Sequence, residues 1–401
     1  MATVKVKFRQ SSVNDKEGTI YYQVIHNRVA RQVTTGYKVY VGEWDEKCHN
    51  IIIVHGSERT NMLISLREKI RWDMERFNRI IMSFMQKGIC FSAENVVESF
   101  LALTSRLSFF NFMESIIAKL KYDGKIRTSE TYRSALNSFS RFRNGEDVMM
   151  DVFSQDLVES YEAYLQAKGL VPNSISFHLR ILRAVYNRAC EQGLITATIN
   201  PFAHVYTGVE KTAKRAVDIK TVRRIKNLDL SMEKFADYAR DIFMLSFYMR
   251  GMSFIDLAYL KKSDLVNGIV TYYRRKTGQK LSIKWTKEMQ AILDKYPEND
   301  TEYLFPVITS RTANPRNQYR SRHYVINRNL KIVAQKIGMQ MPLTTYVARH
   351  SWASIARSKG IALSVISEGL GHDNEQTTQI YLASLDTSAV DRANEIILSD
   401  L

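Results

Sequence analysis

The chain opens with apolar and polar residues in strict alternation and changes to a helical period farther on. Val4, Val6 and Phe8 alternate with Lys5, Lys7 and Arg9, which predicts a strand with one apolar and one basic face. Residues 19–26 and 33–40 are further runs rich in β-branched and aromatic side chains, with turn chemistry from Asn27-Arg28 and Gly36. Three such runs predict a small three-stranded sheet that stands with packing help. From about residue 57 to 85, Met62, Leu66, Ile70, Met74, Phe77 and Ile81 recur at helical spacing, and Gly88 ends that helix.

Between about residues 92 and 202 the pattern is helical throughout. Ser108, Thr128 and Ser154 stand as N-caps, Pro172-Asn173 opens another helix, and Gly169 and Gly193 sit where helices should stop. That last helix carries Ile175, Leu179, Leu182, Val185 and Tyr186 on one face, and His178, Arg180, Arg183 and Arg188 on the other. Asn200-Pro201 closes the bundle, and residues 208–216, poor in apolar side chains, read as a linker. The remainder is mostly helical, interrupted at residues 268–283 by a β-hairpin. The whole predicts a mainly α chain with small β elements, an α+β protein of three domains at about 1–90, 104–206 and 217–401.

Charge narrows the function. The 401 residues hold 57 Lys+Arg against 41 Asp+Glu, a formal net charge of +16. Such an excess costs self-repulsion, and a polyanion is the natural partner; a generically basic surface is the bland alternative. The longest apolar stretch, residues 242–249, is far short of the roughly 18–20 residues a bilayer span needs. The N-terminus lacks the apolar core of a signal peptide. Cys48, Cys90 and Cys190 are far apart and in no metal-ligand spacing, as in a reducing compartment. Together these predict a cytoplasmic protein with no metal site.

The chemistry concentrates in the last sixty residues. Arg349-His350 is followed by Leu370-Gly371-His372, and Tyr381 stands nine residues after His372. Cationic and donor side chains can grip the non-bridging oxygens of a phosphodiester while a phenol attacks phosphorus. Farther upstream, Arg250-Gly251 follows a buried apolar stretch, and Lys276 sits at a hairpin tip beside Thr277-Gly278. His372 reads as lying at a helix start, where backbone N–H groups favour an anion.

These residues resemble the tyrosine recombinases, the phage-integrase family, over essentially the whole chain. The closest resemblance is to the integrases of Bacteroides mobile elements, through Arg-Gly-Met-Ser-Phe-Ile-Asp-Leu-Ala at 250–258 and Leu-Thr-Thr-Tyr-Val-Ala-Arg-His at 343–350. The resemblance implies an arm-type DNA-binding sheet, a helical core-binding domain and a catalytic domain. It implies a site-specific recombinase, an integrase or invertase, acting on double-stranded DNA as a tetramer without a cofactor, in some systems with accessory DNA-bending proteins. In that scheme Tyr381 forms a 3′-phosphotyrosine, Lys276 protonates the leaving 5′ oxygen, Arg250 and Arg349 hold the phosphate, and His372 donates to it. Lys5, Lys7, Arg9, Arg180 and Arg183 are the candidate DNA contacts outside the site.

Two departures accompany the resemblance. Where the family has a histidine or lysine three residues before the second arginine, this chain has Tyr346, whose phenol is a poor base at neutral pH. The strict register also puts the first arginine at Ser253, with Arg250 three residues, about one helical turn, earlier; the alternative role for Arg250 is a structural pair with Asp256. A catalytically impaired DNA-binding protein of the same fold and a type IB topoisomerase are the competing functions. The tail from Thr387 is expected to form a helix that packs on its own domain or on a neighbouring protomer.

Overall fold

The computed structural model describes residues 2–53, 56–196, 199–210, 216–372 and Thr378. Packing divides the chain into two units, Met1–Glu210 and Lys211–Leu401.

In the first unit, β1 (Thr3–Arg9), β2 (Gly18–His26) and β3 (Val29–Val39) form an antiparallel sheet with β2 in the centre. Register pairs Val6 with Tyr22 and Tyr22 with Val33, so all three lie on the buried face. The two-residue turn between β2 and β3 is Asn27-Arg28, both at positive φ (48° and 65°), the backbone a tight hairpin of this twist needs. Gly36, expected in a turn, lies inside β3, at the irregularity between the Thr19–Lys38 and Tyr21–Thr34 pairs. A short ribbon, β4 (Trp44–Asp45) and β5 (Asn50–Ile51), follows.

Helices α1 (Thr60–Gln86) and α2 (Ala93–Leu107) cover the sheet. Phe77 of α1 and Phe100 of α2 stack at 3.8 Å, with Tyr22 of the sheet edge-on at 5.4 Å from Phe77. The core built on the sheet thus runs on to Phe100. One polar network crosses it. Tyr22 and Tyr37 both donate to Asp73, and Arg76 binds Asp73 at 2.7 Å and Asp151 at 2.6 Å. Arg76 is therefore buried between two carboxylates, and Asp151 belongs to the helical body beyond α2. Removing one member of such a set leaves buried charge uncompensated.

That helical body is α3 (Phe109–Tyr122), α4 (Ile126–Phe142), α5 (Gln155–Ala167) and α6 (Pro172–Glu191), around a second core of Phe109, Phe139, Tyr161, Leu179 and Leu182. Ser108 caps α3 and Ser154 caps α5, each accepting the N–H three residues on. Thr128 is not a cap: α4 starts at Ile126, so Thr128 lies within its first turn.

In the second unit, α7 (Ile219–Asn227) precedes α8 (Lys234–Tyr248), which is buried from Ile242 to Ser246 and packs on later helices. A short α9 (Phe254–Ala258) leads into an antiparallel sheet of β6 (Leu265–Val266), β7 (Ile269–Tyr273) and β8 (Lys280–Lys284). The hairpin at 268–283 is where the pattern placed it, with β6 as an added edge too short to show periodicity. Then come α10 (Lys287–Leu293), α11 (Pro315–Lys336), α12 (Thr345–Ser358) and α13 (Leu363–Leu370). Among the described residues no helix is long and apolar enough to cross a membrane, and no cluster of three or more His, Cys, Asp or Glu is arranged to hold a metal.

Candidate functional site

The site grows from helix ends. Helix α8 finishes in a left-handed cap: the Gly251 N–H reaches back to the Ser246 carbonyl at 2.8 Å, and Arg250 occupies the residue between at φ 57°. Glycine normally stands there, because a Cβ in this conformation costs about 1–2 kcal/mol. An arginine held in that backbone is a local conflict of the kind that clusters at functional sites. Its Cδ lies 3.9 Å from where a Cβ on Gly369 would stand, so the side chain runs toward the end of α13. Among the described residues no carboxylate pairs with Arg250.

The alternative partner, Asp256, is engaged elsewhere. It accepts from Ser253 Oγ at 2.6 Å and from the Arg275 N–H at 2.9 Å, and it faces Arg274 at 4.0 Å. Ser253, the strict-register position, is the N-cap of α9. Arg250 and Ser253 are not a helical turn apart on one helix; they lie in the connection between α8 and α9.

Arg349 is 4% exposed in α12. Its Nη1 donates to the Gly251 carbonyl at 2.9 Å and its Nη2 to the Leu370 carbonyl at 2.6 Å. Carbonyl dipoles fix a guanidinium in place without cancelling its charge as a carboxylate would. Gly251 has no room for a side chain: a Cβ would meet the Arg349 Cα at 2.7 Å. Nη2 of Arg349 also lies 3.1 Å from Nε2 of His372, whose Nδ1 is 2.8 Å from Thr378 Oγ1; Thr378 donates to Ser367. The structure thus brings Arg250, Arg349 and His372 to one place.

His372 follows the C-terminus of α13: its N–H returns to the Ser367 carbonyl at 3.0 Å, with Gly371 left-handed before it. The helix start expected there falls on residues outside those described. The Leu-Gly-His step is a glycine C-cap, and His372 is placed by that cap and by Thr378.

The β7–β8 hairpin reaches the same turn. Arg274 Nη1 donates to the Gly371 carbonyl. Lys276, two residues on, is exposed at the hairpin tip. Tyr272, buried below, lies within the influence of Arg349, Arg274 and Arg250; burial and Asp256 nonetheless hold its phenol well above the ordinary value. Tyr346 is 53% exposed in the first turn of α12, its ring edge-on to His350 at 4.6 Å. Tyr381 and the tail from Thr387 lie outside the described residues.

The other basic candidates are in the first unit. Lys5, Lys7 and Arg9 are on the outer face of the sheet, and register adds Lys38 to that face. Arg9 lies 5.1 Å over the Tyr21 ring and donates to Gln32 at 3.1 Å. On α6, Arg180 is half-buried, and Arg183 donates to Thr207 Oγ1 at 2.5 Å, so part of its fork holds that loop. The pairing of Arg274 with Asp256 and Gly371 escaped the sequence reading. Strand parity carries the signal, since Val270 and Tyr272 point inward and Arg274 continues the series.

Comparison with known proteins agrees with this arrangement. Residues 108–207 match the phage integrase SAM-like domain and residues 220–388 match the phage integrase family. The chain belongs to the phage integrase family of tyrosine recombinases. Tyrosine recombinase XerC of Leptospira interrogans is 26% identical over 274 residues, covering 66% of this chain and 85% of that one. Two solved structures share the fold. The integrase of transposon Tn1549 (residues 82–397), in complex with transposon right end DNA, superposes with a TM-score of 0.53 at 14% identity, covering 73% of this chain and 99% of that one. A lambda integrase dimer bound to a COC′ core site gives 0.53 at 16% identity, covering 95% and 97%.

The left-handed cap gives a direct test. Arg250→Gly relieves the backbone conflict, so thermal unfolding should show stability unchanged or raised by up to about 1 kcal/mol, while DNA cleavage is lost. A marked fall in stability would show that Arg250 is there for packing.

Proposed function

We propose that this chain is a mobile-element integrase, of the type found in Bacteroides, that cleaves and rejoins DNA strands through Tyr381. The observation that carries the reading is the cationic pocket at the ends of α8 and α13, where Arg250, Arg349 and His372 converge and, among the described residues, no carboxylate pairs with Arg250. Such a pocket suits a phosphate whose charge grows in the transition state, and each preorganised donor supplies several kcal/mol there.

In this scheme the Tyr381 phenol gives up its proton to water and attacks phosphorus, the bond to the 5′ oxygen breaks, and Lys276 gives that oxygen its proton. The product is a 3′-phosphotyrosyl ester and a free 5′-hydroxyl. A 5′-hydroxyl from the partner strand then reverses the step and releases the tyrosine. Because ester replaces ester, no external energy source is needed. Arg250 and Arg349 hold the non-bridging oxygens. Nε2 of His372 faces Arg349, so donation from that nitrogen needs the imidazolium, which a bound phosphate favours. Tyr346, exposed and of poor basicity, acts by hydrogen bonding rather than as the proton carrier.

The sheet of the first unit would read arm-type DNA with Lys5, Lys7 and Arg9, since a β-sheet face fits the major groove. Arg180 and Arg183 of α6 would meet the core site. Four copies on two paired DNA sites, with DNA-bending proteins where the sites are distant, form the working assembly, on the bacterial nucleoid in the cytoplasm. The transposon and phage integrases that share the fold, both determined with DNA, support this reading.

A nicked suicide substrate should trap the protein on DNA through a bond to Tyr381. Tyr381→Phe should abolish trapping and leave DNA binding intact; an adduct formed by the Phe variant would refute the nucleophile.

The sheet is tested by salt. Neutralising Lys5, Lys7 and Arg9 together should lower the log–log salt slope of binding to arm-site DNA by up to about 2.7, one phosphate per cation. An unchanged slope would make the sheet a scaffold.

A further inference from the structure

Strand β7 points Val270 and Tyr272 into the domain, and the same parity carries Arg274 inward where the hairpin leaves the sheet. Arg274 is 7% exposed. Its Nη1 donates to the Gly371 carbonyl, and its Cδ lies 2.7 Å from where a Cβ on Gly371 would stand. The side chain therefore lies flat on the turn that ends in His372. Its Nε is 4.0 Å from Asp256 and has no hydrogen bond of its own. Asp256 binds Ser253, the cap of α9, and the Arg275 N–H of the hairpin. One guanidinium thus stands among three segments: the turn before His372, the hairpin bearing Lys276, and the start of α9 just beyond Arg250.

An apolar residue would complete the inner face of β7 without burying a cation, so the arginine needs a reason beyond packing. The hairpin closes on Arg274 itself, whose N–H donates to Gln279 at 2.8 Å and whose carbonyl accepts from Gly278 at 2.7 Å. Beyond that closure the Arg275 N–H is held by Asp256 at 2.9 Å and the Arg275 guanidinium lies 4.1 Å over the Tyr259 ring, while Thr277 Oγ1 and Gln279 Oε1 are buried and unpartnered. The tip that carries Lys276 is therefore referenced to α9 through Arg275 and to the turn before His372 through Arg274.

We infer that Arg274 is a positioning residue for strand cleavage: its contact with the Gly371 carbonyl, braced by Asp256, sets the spacing between Lys276 and His372. This rests on the proposed role of Lys276 as the acid, and the test separates the two. Single-turnover cleavage is measured with full-length protein on a suicide substrate whose leaving atom is either oxygen or sulfur. A 5′-sulfur leaves without a proton. Arg274→Ala should cleave the ordinary ester roughly 10- to 100-fold more slowly, bind the DNA within about threefold of the unaltered protein, and recover most of the lost rate on the sulfur substrate. A role limited to fold stability gives no such selective recovery.

Lys276→Ala is run beside it. Recovery of Lys276→Ala but not of Arg274→Ala overturns the inference and leaves the acid assignment standing. Recovery of neither removes the acid assignment and the inference with it. An unimpaired Arg274→Ala also overturns it. If Arg274→Ala melts below the assay temperature, Arg274→Lys serves instead, keeping the charge without the fork; the same selective recovery is expected, and an unrecovered loss counts against the inference.

Discussion

Burying Arg349 is the constraint around which the second unit is arranged. A guanidinium removed from water must have its donors met, and here two of them are met by carbonyls from separate helix ends, Gly251 after α8 and Leu370 in α13. Those two bonds draw the termini together at the surface of an apolar core. Everything with chemical potential follows from that convergence. Arg250 precedes one carbonyl and His372 follows the other by two residues. Gly251 and Gly371 are required because the chains approach too closely for side chains. The left-handed backbone at Arg250 is then a consequence of ending α8 in time to place Gly251 against Arg349.

The hairpin is the second support. Lys276 belongs to an exposed tip. Arg274, Arg275 and Asp256 join the base of that tip to the Gly371 turn and to α9, so the exposed part of the site shares anchors with its buried part. The first unit shows a comparable economy. Arg76, between Asp73 and Asp151, ties the sheet and its covering helix to the helical bundle, which is why sheet and bundle pack as one unit.

Much of this was legible in the sequence. Alternation gave β1 and the hairpin, helical spacing gave α1, and serine caps gave the starts of α3 and α5, because each signal is local. Arg349 and His372 stood out by their spacing along the chain, Arg349-His350 followed by Leu370-Gly371-His372. What was missed depends on backbone geometry or distant contacts. Leu-Gly-His does not by itself announce that Gly371 caps α13, since the Ser367 carbonyl that receives the His372 N–H is brought there by backbone geometry. Gly36 reads as a turn, yet a glycine in an edge strand is tolerated where nothing packs on it. Nothing near Arg250 announces a left-handed residue, and Arg274, followed by Arg275 and Lys276, reads as one more cation of a basic hairpin tip.

The central claim is that the pocket exists to hold a phosphate's charge. It is tested most directly by removing that charge from the substrate. Replacing a non-bridging oxygen of the scissile phosphate with a methyl group gives a neutral methylphosphonate. On ordinary DNA, Arg250→Ala should lose about 10²–10³-fold in cleavage, as for a single removed oxyanion donor. On the methylphosphonate the same variant should cleave nearly as well as the unaltered protein. An equal loss on both substrates would contradict the account, since Arg250 would then serve something other than the charge it is placed to meet.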